Sequence, residues 1–389
     1  MNKKYFVIII IIIIFSVFIF VPVKEVLIHF GIINFYKGDN WKVVEKTSDP
    51  IYDKVMSLEA NIENRYNNYF PFYNPINNIY YNVNSKIDSI YLNDIYLKDN
   101  NDNEHMFLDK KNNFYYLVNH YDSEELDKRL NTQVEFYNDI KNKYPSIDLM
   151  IYLPLRYSET SYKNINGVHD KIISFTNKLN KNIKYSIFDS NSPSEYLKYF
   201  YKTDHHYNSY GAEKVYLDIL NNYGLENNLN ITHKTIREKY YGSMAKSILS
   251  TNIVDNLTAI DTKVIVGTNI NDELFKPMVI EEKQDPFYDY YVRYFNGQYD
   301  EIIYTNKSFY NRNLLIICDS LAWQIDYLLA NNFDNTYVIN MKYGKWQNNN
   351  LILDRYIKEH NITHILFLRE AKNIVFDADN FKLDKRVVR

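Results

Sequence analysis

The chain has 389 residues, a net charge of −3 and a single cysteine, Cys318. Basic and acidic residues are interspersed, which gives no reason to expect nucleic acid as a partner, and one cysteine excludes an internal disulfide framework. There are only nine glycines, and no Walker A, G-x-G-x-x-G or C-x-x-C pattern, so no cofactor or metal site is assigned.

Tyr5 to Val23 is an uncharged run that includes seven consecutive isoleucines, Ile8 to Ile14. As a helix it extends about 28 Å, roughly the hydrocarbon thickness of a bilayer. The exit, Phe20-Val21-Pro22-Val23-Lys24-Glu25, lacks the small-residue pattern of a cleavage site, so the run reads as a retained anchor rather than a signal peptide. Lys3 and Lys4 precede it, and the positive-inside tendency keeps them in the cytoplasm and the rest of the chain outside. The expected organisation is a cytoplasmic tip and transmembrane anchor over 1–30, a juxtamembrane linker over 31–56, and one large extracytoplasmic domain over 57–389.

A helix is expected from about Asp49-Pro50 toward Phe70-Pro71. Residues 76–120 carry short aromatic runs broken by Asn and Asp, a strand-and-turn composition. Leu126, Leu130, Val134, Tyr137 and Ile140 then recur at helical spacing, with Asp122 or Ser123 as cap and Pro145 as stop. Ile147 to Leu153 reads as a strand, Val168 to Leu179 as a helix and Tyr185 to Phe188 as a strand. Asn208 or Ser209 caps a further helix to about Asn222, with Gly224 at its exit. Residues 225–310 read as an irregular insertion with some strands of its own. The last part alternates: strand Leu314–Ile317, helix Leu321–Ala330, strand Tyr337–Ile339, helix Leu351–Glu359, strand His364–Leu368. Apolar strands without polar alternation, separated by helices, imply an α/β fold with a mainly parallel sheet covered on both faces.

Two segments carry chemistry. Thr203-Asp204-His205-His206-Tyr207-Asn208-Ser209 lies in a turn before a helix, and Cys318-Asp319-Ser320 follows an apolar strand and opens the next helix. Sites in open α/β sheets form at the carboxyl ends of strands. There the Ser320 hydroxyl is exposed, and its N–H lies in a first helical turn that favours a developing negative charge. A serine nucleophile needs a base and a carboxylate that orients it. Asp204 and His206, two apart, point the same way in an extended turn, whereas His205 is expected to point oppositely. Taken alone, Asp-Ser after a strand reads as an N-cap, and Asp-His-His as capping residues with solvated imidazoles. Together, each at a strand-to-helix turn of one sheet, they point to Ser320 as nucleophile, His206 as base and Asp204 as orienting acid.

At these residues the sequence resembles the DHHW proteins, which are similar to the alginate O-acetylation proteins AlgJ and AlgX within the SGNH hydrolase superfamily. Thr203 to Ala212 looks like the DHHW signature. Weaker agreement lies at Glu63-Asn64-Arg65 with Phe70-Pro71, at Tyr152-Leu153-Pro154-Leu155, at Tyr241-Gly242-Ser243-Met244 and at Leu315 to Ser320. The resemblance implies a three-layer α/β/α SGNH-hydrolase-like domain, the same triad, and O-acetylation of a cell-surface polysaccharide, as in exopolysaccharide biosynthesis. It also implies a multi-pass membrane acyltransferase as partner, and His205, Tyr207 and Arg369 as residues facing substrate. Three departures stand out: Cys318 replaces the usual glycine of the nucleophile block, Tyr207 replaces the signature's tryptophan, and no Asn-bearing block is evident, the nearest strand end being Leu368-Arg369-Glu370. An acetylesterase, or a non-catalytic polysaccharide-binding or assembly protein on the same fold, remains an alternative.

Overall fold

The computed structural model describes residues 94–101, 104–119, 121–263, 265, 267–268, 274–278, 280–281, 283, 285–297, 299–306, 311–340, 351–371 and 381–382. All of them fall in one unit, 85–389. The expected anchor, the linker 31–56 and the helix before Phe70-Pro71 lie outside the described residues. Among those described, no helix is long and apolar enough to cross a membrane.

The aromatic runs after residue 93 form an antiparallel sheet of β1 (Asp94–Asn101), β2 (Glu104–Asp109) and β3 (Phe114–Asn119), the last buried throughout. Helix α1 (Ser123–Lys143) follows. The Asp122 carboxylate caps it by accepting from the Glu125 N–H at 2.9 Å, and it ends at Tyr144, ahead of Pro145. Next come β4 (Asp148–Pro154), α2 (Val168–Asn177), β5 (Lys184–Phe188) and a short helix without a clear sequence signal, α3 (Pro193–Tyr199), capped by Ser192. Helix α4 (Ser209–Tyr223) has Asn208 as its N-cap and leaves through Gly224 at φ 69°, the left-handed exit that glycine takes without strain.

Segment 225–310, expected as an insertion, supplies more to the fold than strands of its own. It contributes the hairpin β6 (Thr232–Tyr240) and β7 (Asp255–Asp261), with α5 (Ser243–Ser247) between them. It also contributes the two-residue strands β8 (Gly267–Thr268) and β9 (Leu274–Phe275), helix α6 (Tyr290–Phe295) and β10 (Glu301–Thr305). The last quarter holds β11 (Asn313–Cys318), α7 (Asp326–Leu329), β12 (Asn335–Asn340), β13 (Leu351–Ile352), α8 (Leu353–Glu359), β14 (His364–Leu368) and β15 (Phe381–Lys382).

The main sheet runs β5-β4-β14-β11-β12-β10-β8-β9. Its pairs from β5 to β12 are parallel, and β10, β8 and β9 join antiparallel, so the sheet is mostly parallel with an antiparallel edge taken from 225–310. Side-chain alternation divides the core into two layers. Leu315, Ile317, Ile365 and Phe367 pack with α1, α2 and α8 residues such as Tyr137, Phe175 and Ile357. Leu314, Ile316, Cys318 and Leu366 pack with Val215 and Ile219 of α4 and Tyr291 of α6. The expected continuous helix Leu321–Ala330 is instead a 3₁₀ turn over Ser320–Gln324 followed by α7 and another 3₁₀ turn. Every residue of 321–330 is buried, so no solvent-facing stripe favours one regular helix.

Candidate active site

Both chemical segments sit at turns that the sheet and the hairpin fix. β11 ends at Cys318, in register with Asn340 of β12 and Leu368 of β14. The next residue, Asp319, is the cap: Oδ1 accepts from the Leu321 N–H at 3.0 Å and Oδ2 from the Glu370 N–H at 2.9 Å. The capping and chemical roles of Asp319-Ser320 are thereby divided between the two residues, and Ser320 is left partly exposed just past the cap.

The Ser320 hydroxyl lies 2.8 Å from His206 Nε2, and His206 Nδ1 lies 2.7 Å from Asp204 Oδ1. Serine, imidazole and carboxylate thus form one hydrogen-bonded series, with 114 residues of sequence separating Ser320 from His206. Asp204 is 2 % exposed and His206 5 %, so the carboxylate and the imidazole are held away from bulk water. Asp204 accepts further bonds: from the Tyr240 hydroxyl at 2.5 Å, from the Ser243 N–H at 2.9 Å and from the Ser243 hydroxyl at 3.1 Å. Burial alone would raise its carboxyl. The adjacent His206 and His205 imidazoles and the Tyr240 hydroxyl outweigh that and hold it well below the usual carboxylate range. It therefore stays ionised and favours a proton on His206 Nδ1, leaving Nε2 to accept from the Ser320 hydroxyl.

The turn carrying Asp204 is pinned by the hairpin. The Thr203 N–H and hydroxyl donate to Asp255 Oδ2 at 2.8 and 2.6 Å, and Thr203 Oγ1 accepts from the Gly242 N–H at 3.0 Å. Gly242 passes so close that a Cβ there would lie 2.4 Å from Asp204 Cβ. Tyr240, Ser243 and Asp255 were not singled out from the sequence for these roles. Only the Tyr241-Gly242-Ser243-Met244 stretch carried a signal, and its function is to pack against Asp204.

The remaining expected site residues differ in placement. His205 does not point away from the series. Its Nδ1 lies 2.9 Å from Ser243 Oγ and 3.2 Å from Asp204 Oδ1, and its ring is 4.0 Å from that of His206, because the turn folds both imidazoles around one carboxylate. Burial, with the neighbouring His206, pushes it down to about 3, so it is neutral near pH 7. Tyr207, expected against substrate, is instead wholly buried, and its hydroxyl donates to the Leu321 carbonyl. Arg369, also expected to face substrate, is 3 % exposed. Cys318 is fully buried in the core, its thiol donating to the Ile339 carbonyl at 3.5 Å, and burial raises that thiol so that it stays protonated.

Asp204, His205 and His206 also offer ligand atoms within 4.8 Å of one another. His206 uses both nitrogens on Asp204 and Ser320, and His205 Nδ1 faces Ser243, so this donor set fits the hydrogen-bonded series better than a metal ion.

No family model and no curated protein sequence matches the chain. Solved structures do. Bacillus cereus PatB1 with a sulfonyl adduct is 18% identical, with a TM-score of 0.53 over 72% of this chain and 98% of that one. A DHHW family protein from Eubacterium siraeum is 16% identical, with a TM-score of 0.55 over 75% of this chain and 98% of that one. The chain shares their fold. The O-acetyltransferase domain of Pseudomonas putida AlgJ is more distant, 12% identical with a TM-score of 0.39 over 70% of this chain and 91% of that one. The DHHW resemblance carried by Thr203 to Ala212 thus has a counterpart in three dimensions.

Proposed function

We propose that this chain is a membrane-anchored, extracytoplasmic acyl-transfer protein with an SGNH-hydrolase-like domain, which O-acetylates a cell-surface polysaccharide through Ser320, His206 and Asp204. The observation that carries the reading is the unbroken series from Ser320 Oγ through His206 to Asp204, at 2.8 and 2.7 Å. Two cuts of the same chemistry follow from it. In the first half-reaction Ser320 Oγ attacks the donor's acetyl carbonyl carbon while His206 Nε2 takes the hydroxyl proton. The tetrahedral intermediate collapses, the donor's acyl bond breaks, and the leaving group takes that proton from His206. In the second half-reaction a sugar hydroxyl gives its proton to His206 Nε2 and attacks the acetyl-Ser320 ester. Collapse returns the proton to Ser320 Oγ and releases the acetylated sugar.

The Asp204 network supports this role. Three donors from Tyr240 and Ser243 and two imidazoles around one buried carboxylate keep it ionised and keep His206 oriented, as a general base requires. The departure at Cys318 is accommodated by its burial among core residues. A multi-pass membrane acyltransferase is the proposed donor-side partner, because an anchored domain outside the cytoplasm has no direct access to a cytoplasmic acyl donor.

A sulfonyl fluoride tests the assignment, since a solved structure of PatB1 carries a sulfonyl adduct. The expected outcome is one sulfonyl group on Ser320 by peptide mass, and loss of acetyl-ester hydrolysis of about 10⁶-fold in Ser320→Ala. Full hydrolysis by Ser320→Ala refutes the reading.

A further inference from the structure

The base has an aromatic neighbour that the chemistry above does not use. The Tyr291 ring of α6 lies against the His206 imidazole, with centroids 4.1 Å apart and planes inclined by 21°. Tyr291 is 1 % exposed, and its hydroxyl donates to the Ser320 carbonyl at 3.4 Å. One side chain therefore touches the ring of the proposed base and the backbone of the proposed nucleophile. It comes from segment 225–310, not from either chemical motif.

The surroundings of His206 define what that contact can do. Asp204 faces Nδ1 and the Ser320 hydroxyl faces Nε2. The His205 ring lies at 4.0 Å and the Trp323 ring at 6.2 Å. Behind these, Tyr240 donates to Asp204, and Glu370, itself paired with Arg156, lies 3.9 Å from His205. Burial pushes the Tyr291 phenol well above its ordinary range, so it stays neutral. His205, down at about 3, is neutral as well. When His206 takes a proton, the new charge meets the Asp204 carboxylate and the electron-rich face of the Tyr291 ring, and among the described residues no second cation is in contact. A cation over an aromatic face is attracted by the ring quadrupole, more so where water is excluded.

We propose that Tyr291 is a positioning residue for His206: its ring holds the imidazole in line with Ser320 and stabilises the imidazolium formed when the serine proton is taken. This rests on the acyl-transfer reading. Loss of simple core packing at Tyr291 would admit water and leave the imidazole pKa unchanged or raised, whereas loss of a stabilising ring face lowers it, and that direction separates the two.

The test uses NMR titration of the His206 ring in proteins that also carry Ser320→Ala, so no turnover is needed. Tyr291→Phe keeps the ring face and loses the hydroxyl, and Tyr291→Leu loses the face. The expected result is an imidazole pKa unchanged by Phe and lowered by about 0.5 or more by Leu. With Ser320 present, the Leu variant should lose kcat for acetyl-ester hydrolysis more than it raises KM, while the Phe variant retains most of it. If Tyr291→Leu does not fold, Tyr291→Met, similar in length and without a π face, gives the same reading. An imidazole pKa in the folded Leu or Met protein equal to or above that of the Phe protein overturns the proposal. Hydrolysis retained by Ser320→Ala alone overturns the acyl-transfer reading instead, so the two failures are distinct.

Discussion

Thr203 gives both its N–H and its hydroxyl to a single carboxylate oxygen of Asp255, at 2.8 and 2.6 Å. Asp255 opens β7, so the hairpin, far from the motif in sequence, sets where the motif begins. Removing the carboxylate leaves a buried N–H and a buried hydroxyl without their acceptor. Asp255→Ala should cost about 1–3 kcal/mol in denaturant-induced unfolding. It should also lower acetyl-ester hydrolysis, because Asp204 follows directly. An unfolding midpoint equal to that of the unaltered protein counts against this role.

Gly242 is where backbone and carboxylate come closest. An added Cβ would meet Asp204 Cβ at 2.4 Å and the Thr203 carbonyl at 2.7 Å. Neither neighbour is the loose end of a flexible side chain, so the turn must move. Gly242→Ala should therefore lower kcat by on the order of 100-fold, the effect of a misplacement of about 1 Å, with near-native circular dichroism. Near-normal kcat would show that the Asp204 turn tolerates displacement.

Asp326 predicts a pH dependence of stability that is separate from catalysis. Burial pushes its carboxyl up to about 7, against hydrogen bonds from Tyr299, the Tyr327 N–H and Tyr304. A pKa raised in the folded state stabilises fully below the ordinary carboxylate value, and that contribution is lost as pH rises through about 7. The loss is about 4 kcal/mol at most. Thermal midpoints measured from pH 4 to 8 should fall for the unaltered protein, and the decline should be shallower for Asp326→Asn. Parallel curves would contradict the assignment.

Cys318 stands where the resemblance to the DHHW proteins leads to the expectation of a glycine. Its thiol is packed in the core and bonded to the Ile339 carbonyl. Cys318→Gly should destabilise the protein by about 1–3 kcal/mol through lost packing and added chain entropy. Acetyl-ester hydrolysis at a temperature where the variant is folded should be little changed. A large gain in rate would show instead that the side chain crowds the site.

The legible parts of this fold are those with a local cause. Asp122 and Asn208 announce their helices because a cap acts within three residues. The strands around Ile151, Ile316 and Leu366 are readable because burial on both faces leaves unbroken apolar runs. Asp204, His206 and Ser320 could be singled out because their two segments lie at turns that open helices, and the fold joins the three by hydrogen bonds. What eluded the sequence is set by distant packing. Two-residue strands such as Gly267–Thr268 carry no pattern of their own. Tyr240 and Tyr291 are two among 39 tyrosines, and nothing local distinguishes a ring beside Asp204 or His206 from one in the core. His205 was misdirected because the rule for alternating side chains assumes an extended chain, and the turn there bends both imidazoles toward one carboxylate.

The long span between Ser320 and His206 bears on how the protein is made. The contact between the Ser320 hydroxyl and His206, 114 residues apart, exists only after that loop has closed and the sheet has registered β11 beside its neighbours. On the proposed acyl-transfer reading, the emerging chain carries an ordinary serine during synthesis, inert toward esters it meets. Reactivity is thus a late property of folding, and labelling of Ser320 by a sulfonyl probe would report the native population and ignore partly folded chains.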